Sequence, residues 1–255
     1  MRPIHRVLLS LIFVAALADL LLGAPAVGFS DTLAARRGTL APMSEGIERA
    51  INVRINAARE AHRLTPLRRG GTLTSTAQTF ARFMASTEKY GHDADGRTPG
   101  ARASERGYHY CLVAENLGRF FSNEALEADI IASRLVAAWL ESPGHRANLL
   151  EPLATETGIA VAIAADGTFF AVQMFGRPSS ALFSFKVANE SGRSVAYGVS
   201  GKSFTLPANG TLTHERCEPA VLTVSESATS EIAVAGAGAF VVRRNGPGLV
   251  VTRSR

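Results

Sequence analysis

The 255-residue sequence predicts an α+β protein in two parts, a mixed helix-and-strand domain over residues 44–178 and a small all-β module over residues 181–255. Three observations carry this expectation. Stretches between Ser44 and Trp139 place apolar residues at helical spacing, the period changes to β-rich runs at Gly158–Ala164 and Thr168–Phe175, and no helical period returns beyond Ala181.

The chain opens with a cationic MRPIHR, an apolar VLLSLIFVAALA and small residues in an Ala-x-Ala arrangement, which reads as an export signal over residues 1–26. Cleavage fits after Ala26 or after Ala18, and the first choice also removes the apolar LLLG. The alternative is an uncleaved membrane anchor, against which Asp19 interrupts Val7–Leu22; a central carboxylate costs about 3 kcal/mol there. Either way export is expected, to a secreted, periplasmic or cell-envelope location, and with residues 1–26 removed the mature form has no transmembrane span. Residues 27–43 read as a polar linker.

Ser44 is placed to cap a helix carrying Ile47, Ile51, Ile55 and Ala58, ending near Leu64-Thr65-Pro66. Thr72 precedes a second helix with Leu73, Ala77, Phe80, Ala81 and Met84 on one face. The segment GHDADGRTPG then breaks the period and leaves His92 in a loop just past that helix. A third helix runs from a cap at Asn123 through Leu126, Ile130, Ile131, Leu135, Ala138 and Trp139, the last read as core. In ESPGHRANLL, Ser142 followed by Pro143 ends one helix and starts another: the serine oxygen can accept a first-turn amide and proline fits the first helical position. His145 falls at the third position of the new helix, where the local positive field favours neutral imidazole.

Ala165-Asp166-Gly167 between the two β-rich runs predicts a hairpin. In the C-terminal module NESG, PANG and RNGPG punctuate short segments at sandwich-like spacing. PANG between Thr205-Leu206 and Thr211-Leu212-Thr213 predicts a hairpin, and AVAGAGAF reads as a strand with close backbone approach. There is no internal repeat.

The 27 Lys and Arg against 22 Asp and Glu give a net charge of +5, an excess that serves solubility or an anionic surface such as envelope polymer or phospholipid headgroups. No basic run is interleaved with aromatics, so nucleic acid is not an expected partner. Cys111 and Cys217 are the only cysteines; in an exported protein the pair suggests a disulfide, with two buried thiols as the alternative. Cys111 beside His109 is not read as a nucleophile, because that spacing does not position a base.

Asn56-x-x-Arg59 within NAAREAHRLTPL, then AQTFARFMASTEKYGH, AENLG, AAWLESPGHRANLL and TGIAVAIAADGTFFAVQMFG follow one another over residues about 45–177. In order and spacing these motifs resemble the bacterial members of the CAP superfamily, the SCP-like extracellular proteins. The resemblance implies an α-β-α sandwich with a small antiparallel sheet between helical layers, and a central cleft of two histidines and two acidic residues. His92 matches the first histidine, Glu115 the acidic residue of the Glu-Asn motif and His145 the second histidine. At the fourth position, where many eukaryotic members carry glutamate, this sequence has Ser142, with Glu141 one residue earlier and ~100° away round the helix. A serine hydroxyl does not replace a carboxylate, so the acid-base set is incomplete.

Two functional readings follow from this cleft of His92, Glu115, Ser142 and His145. One is a non-catalytic binding protein for a lipid, peptide or envelope component. The alternative is a metal-assisted hydrolase acting on peptides or cell-wall material, with His92 and His145 holding Zn²⁺ and Glu115 as ligand or general base. A third reading is an envelope structural protein held to anionic polymer by charge. Asn116 and Asn148 are expected to bond backbone groups in loops, and His62 and His214 to be surface or capping residues.

Overall fold

Ile47, Ile51 and Ile55 recur every fourth residue, and all three are buried on one side of helix α1 (Phe29–Ala61). The structure is a computed structural model and describes residues 29–124, 126–227 and 231–254. The leader expected over residues 1–26 lies outside the described residues, among which no helix is long and apolar enough to cross a membrane. The chain divides into two units, Met1–Thr39 and Leu40–Arg255, and the mixed domain and the β module both fall in the second.

The first helix starts at Phe29 and not at Ser44, so the linker expected over residues 27–43 is helical from that point, with Pro42 inside it. Proline removes one N–H and frees one carbonyl, that of Gly38 four residues earlier, while Ala34, Ala35, Arg36 and Arg37 favour helix upstream. Helix α2 (Gly71–Thr87) already includes Thr72, which was expected to precede it. Helix α3 (Pro99–Glu105) has no counterpart in the sequence reading. It starts as the Ser-Pro pair was expected to start one: Thr98 accepts from the Ala101 N–H and Pro99 takes the first helical position. Helix α4 (Ala128–Glu141) begins after Glu127 rather than at Asn123, and it is followed at once by α5 (Pro143–Leu149).

Four strands lie between these helices, in the order β1 (Arg68–Arg69), β3 (Glu156–Ile163), β4 (Phe169–Pro178) and β2 (Tyr110–Phe120). Strand β2 is an edge strand that the sequence reading did not identify. Alternation along β3 and β4 sends Ile159, Val161, Ala171 and Phe175 towards α1, α4 and Trp139, and sends Ala160, Phe170, Val172 and Met174 towards α2. With both faces buried the strands read as nearly continuous apolar runs, and the result is the α-β-α sandwich that the resemblance implies.

The C-terminal module is a two-sheet sandwich made by β5 (Phe183–Asn189), β6 (Val195–Val199), β7 (Lys202–Leu206), β8 (Thr211–Arg216), β9 (Ala220–Val224), β10 (Ile232–Val234), β11 (Gly238–Asn245) and β12 (Gly248–Ser254). One sheet has the order β10-β9-β6-β7 and the other β12-β11-β5-β8, and Phe185, Val187, Tyr197, Leu222, Phe240 and Val242 fill the space between them. The PANG hairpin is therefore a correction: β7 and β8 lie in different sheets, and the turn arches from one to the other. Asn189 draws it across, donating its side-chain amide to the carbonyls of Leu206 and Pro207 and its backbone N–H to Gly210. AVAGAGAF likewise divides, as the end of β10 and the start of β11. His214 is not a surface residue. Its register opposite Phe185 turns it inward, 2.8 Å from the Tyr197 hydroxyl, and burial pushes its pKa down.

Cys111 and Cys217 form a disulfide with Cα atoms 5.8 Å apart, tying β2 to the segment after β8. A bond spanning 106 residues contributes about 4.7 kcal/mol in the chain-entropy treatment.

Gly158 marks the tightest approach between the layers, since a Cβ there would overlap the backbone of Leu73 and Thr74 at the start of α2. Gly158→Ala is expected to lower the unfolding free energy by about 2 kcal/mol or more, measured by chemical denaturation; an unchanged midpoint would place α2 farther from β3 than described.

Candidate functional site

Glu115 stands midway along the edge strand β2, and its side chain is 0% exposed. A buried carboxylate is stable only when its oxygens are paired. Arg102 of α3, whose side chain is 5% exposed, donates from Nη2 to both carboxylate oxygens at 2.9 Å. His92 Nδ1 lies 2.8 Å from Oε1. The same guanidinium donates to the His92 carbonyl at 2.9 Å, the Arg97 carbonyl at 2.7 Å and Asp95 Oδ1 at 2.8 Å, and it lies 3.6 Å over the Phe80 ring. One arginine thus shapes the loop that follows α2 and holds the acid of the site. Sequence reading missed Arg102. The available signal was Thr98-Pro99, which starts the helix that carries it.

The opposite wall is α5. Asn116 donates to the His145 carbonyl at 3.0 Å, and Asn148 donates to the Glu115 carbonyl at 3.2 Å and to Asn116 Oδ1 at 3.0 Å. Both asparagines bond backbone as expected, but from a strand and a helix rather than from loops. The far end of α5 is gripped by Arg59, which is 0% exposed and donates to the carbonyls of Leu149, Glu151, Ala154 and Thr65. Asn56 exchanges two hydrogen bonds with Leu67, fixing the chain that leaves α1. Arg59, matched on motif alone, therefore helps hold the helix that carries the second histidine, and Asn56 fixes the chain that leaves α1. Trp139 is buried as expected and donates to the Leu117 carbonyl. His62, at the end of α1, is exposed and bonds the Ala58 carbonyl.

Ser142 occupies the cap position of α5 with extended backbone, and its carbonyl accepts from Arg146 N–H at 2.8 Å. Its hydroxyl makes no capping hydrogen bond, which corrects that detail of the Ser-Pro reading. Glu141 ends α4 and is exposed.

The two histidines have opposite tendencies. The hydrogen bond to Glu115 raises the basicity of His92, against the effect of burial and helped by the charge of Glu115. Burial lowers His145, and the charge of His92 lowers it further. With Nδ1 on Glu115, His92 presents Nε2 outward from a side chain that is 51% exposed.

As a metal site the donor set is short. Both oxygens of Glu115 are engaged, and among the described residues no group of three or more His, Cys, Asp or Glu is arranged to hold a metal ion. Hydrolytic zinc sites use three protein ligands and an open position, and here two imidazoles are on offer.

Residues 54–175 match the sequence profile of the CAP family, described as the cysteine-rich secretory protein family. Among solved structures, the chain is similar to an outer surface protein from Borrelia burgdorferi, with 23% identity and a TM-score of 0.46 over 52% of this chain and 92% of that one. It is similar to an extracellular protein containing an SCP domain from Bacillus anthracis, with 27% identity and a TM-score of 0.43 over 52% of this chain and 41% of that one. It is also similar to a cysteine-rich secretory protein from Staphylococcus aureus, with 21% identity and a TM-score of 0.41 over 52% of this chain and 39% of that one. The chain spans less than half the length of the last two. No curated protein matches the sequence.

Two outcomes are expected. In an NMR titration His92 protonates above the usual histidine value of about 6.5 and His145 below it. The His92 contribution to stability is then complete below about 6.5 and fades as pH rises through its raised value, whereas that of His145 is complete above about 6.5 and is lost as pH falls. Coincident titration of the two rings would remove the His92–Glu115 bond from the description. Arg102→Met leaves a buried carboxylate without its cation and is expected to cost about 3–5 kcal/mol in chemical denaturation.

Proposed function

Because residues 54–175 are a CAP domain of the cysteine-rich secretory protein family, we propose that this is an exported, envelope- or surface-associated binding protein whose His92/His145 cleft holds its ligand without turning it over. The observation that carries this reading is the full engagement of Glu115. Its carboxylate is buried, bonded by Arg102 and His92, and turned away from solvent, where a general base would need to reach a substrate proton. What the cleft offers to a ligand is a hydrogen-bond donor in His92, an acceptor in the more weakly basic His145, and the hydroxyl of Ser142. Such a set suits a ligand carrying both carbonyl and hydroxyl or amide groups, as lipid headgroups, peptides and envelope polymers do.

The apolar leader and the disulfide support an oxidising destination outside the cytoplasm. The hydrolase alternative keeps one observation in its favour: Glu115 orients His92 through Nδ1, as carboxylates bonded to the far nitrogen of metal-binding histidines do. In it, His92 and His145 would hold the ion and Zn²⁺ would supply an activated water.

Calorimetric titration with Zn²⁺ of tag-free protein lacking residues 1–26, beside His92→Ala/His145→Ala, separates the two. Weak, identical isotherms are expected. A one-to-one isotherm that disappears in the double variant would replace the binding reading by the metal-assisted one.

A further inference from the structure

On the α2 side of the sheet, a surface pocket of about 360 Å³ is walled by Glu88, Arg119, Phe121, Asp166, Thr168 and Phe170. We propose that this pocket is a sugar subsite, holding one ring of an extended glycan whose chain runs on to the His92/His145 cleft. The proposal rests on the binding reading above and names its ligand class.

The first support is Glu88 itself. It follows the last residue of α2 in the left-handed conformation, with φ 58°, its N–H closing the helix on the Met84 carbonyl. Glycine is the usual residue there, because a Cβ strains that backbone. Glu88 also sets a carboxylate at the negative end of the helix, where a cation would be favoured. Local stability argues against glutamate twice at this position, and its place in the pocket wall supplies the reason for it.

The second support is the makeup of the walls. Phe121 is 54% exposed and Tyr90, next to the pocket, is 44% exposed, an unusual outlay of aromatic surface for a solvent-facing rim. Tyr90 is held in place: its ring packs on Phe170 with centroids 6.3 Å apart, and the Arg119 guanidinium lies 5.4 Å from its centroid. Asp166 is pre-set by bonds from the Thr168 N–H and hydroxyl, at 2.8 and 2.9 Å. A pyranose ring has apolar C–H faces that fit aromatic walls, and hydroxyls that both donate and accept. Glu88 and Asp166 supply acceptors and Arg119 supplies donors. Two carboxylates against one guanidinium disfavour a polyanion.

The third support is placement. Arg119 and Glu115 are four residues apart on one face of β2, about 13 Å along the strand. Tyr90 lies at the Arg119 end, its ring 5.4 Å from that guanidinium. A single ring cannot reach from one site to the other; a short oligosaccharide can. A peptide would engage the open edge of β2 by backbone pairing, but the carbonyl of Glu115 on that strand is already taken by Asn148.

The test uses protein lacking residues 1–26, with a tetrasaccharide of N-acetylglucosamine and cellotetraose as neutral glycan probes and tetra-alanine as the peptide probe, by calorimetry and NMR. At least one tetrasaccharide is expected to bind and to shift the resonances of Tyr90, Phe121 and the His92 ring. Glu88→Gly should raise the melting temperature while weakening that binding about tenfold, the loss of one charged hydrogen bond. Glu88→Gln, which keeps the backbone strain, should weaken binding without the gain in stability. Glycan binding that survives Glu88→Gly but is lost in His92→Ala/His145→Ala overturns the subsite and leaves the cleft reading standing. Binding of tetra-alanine alone overturns the glycan assignment, and binding of no probe overturns it as well.

Discussion

A carboxylate with no surface in water is the constraint around which the site is built. Removing Glu115 from solvent without compensation would cost several kcal/mol, and the compensation comes from one residue, Arg102, which is nearly as deeply buried. A buried guanidinium in turn needs acceptors for its own N–H groups. The carbonyls of His92 and Arg97 and the carboxylate of Asp95 provide them for the two terminal nitrogens, while Nε has no partner among the described residues, and the loop between α2 and α3 takes the path that those bonds require. His92 arrives beside Glu115 as part of that path, and its exposed ring is the outer end of an otherwise interior network.

The second histidine depends on a separate device. Helix α5 has only seven residues, too few to hold itself in water, and it is fastened at both ends. Asn116 and Asn148 join it to β2, and Arg59 satisfies its terminal carbonyls from the far side of the core. Arg59 makes these bonds while fully buried, and burial lowers its pKa accordingly. Because one cleft wall hangs on Arg102 and the other on Arg59, the two imidazoles experience different surroundings: one against a carboxylate, the other desolvated and beside a charge of its own sign. The opposite directions of their basicity follow from that difference.

Much of this was legible in the chain. The isoleucines of α1, the apolar face of α2, the Ser-Pro junction before His145 and the Asp-Gly turn between β3 and β4 are local signals with local causes, and each element formed where its signal lay. His92, Glu115 and His145 were named from the motifs; the structure joins His92 to Glu115 and ties the backbone of His145 to β2 through Asn116. What escaped notice depended on distant partners. Strand β2 lacks clean alternation because one of its faces carries two charged residues, Glu115 buried on Arg102 and Arg119 exposed. Arg102 has no marker beyond the Thr98-Pro99 start of its helix, and an arginine within a short helix reads as a surface charge. PANG has the residues of a hairpin turn, yet Asn189 pulls it into an arch between sheets. His214 faces inward only because its strand pairs in register with Phe185.

The sequence by itself determined the main helices, the β3–β4 hairpin, the change to an all-β C-terminal segment and the histidines that the motifs mark, because periodicity, turn chemistry and motif spacing are properties of neighbouring residues. Tertiary structure alone decided which sheet each C-terminal strand joins, that Cys111 meets Cys217, and that Glu115 lies behind His92 instead of beside a ligand. Those outcomes rest on groups far apart in the chain competing for the same few hydrogen-bond partners in a medium without water, and such competition has no local signature.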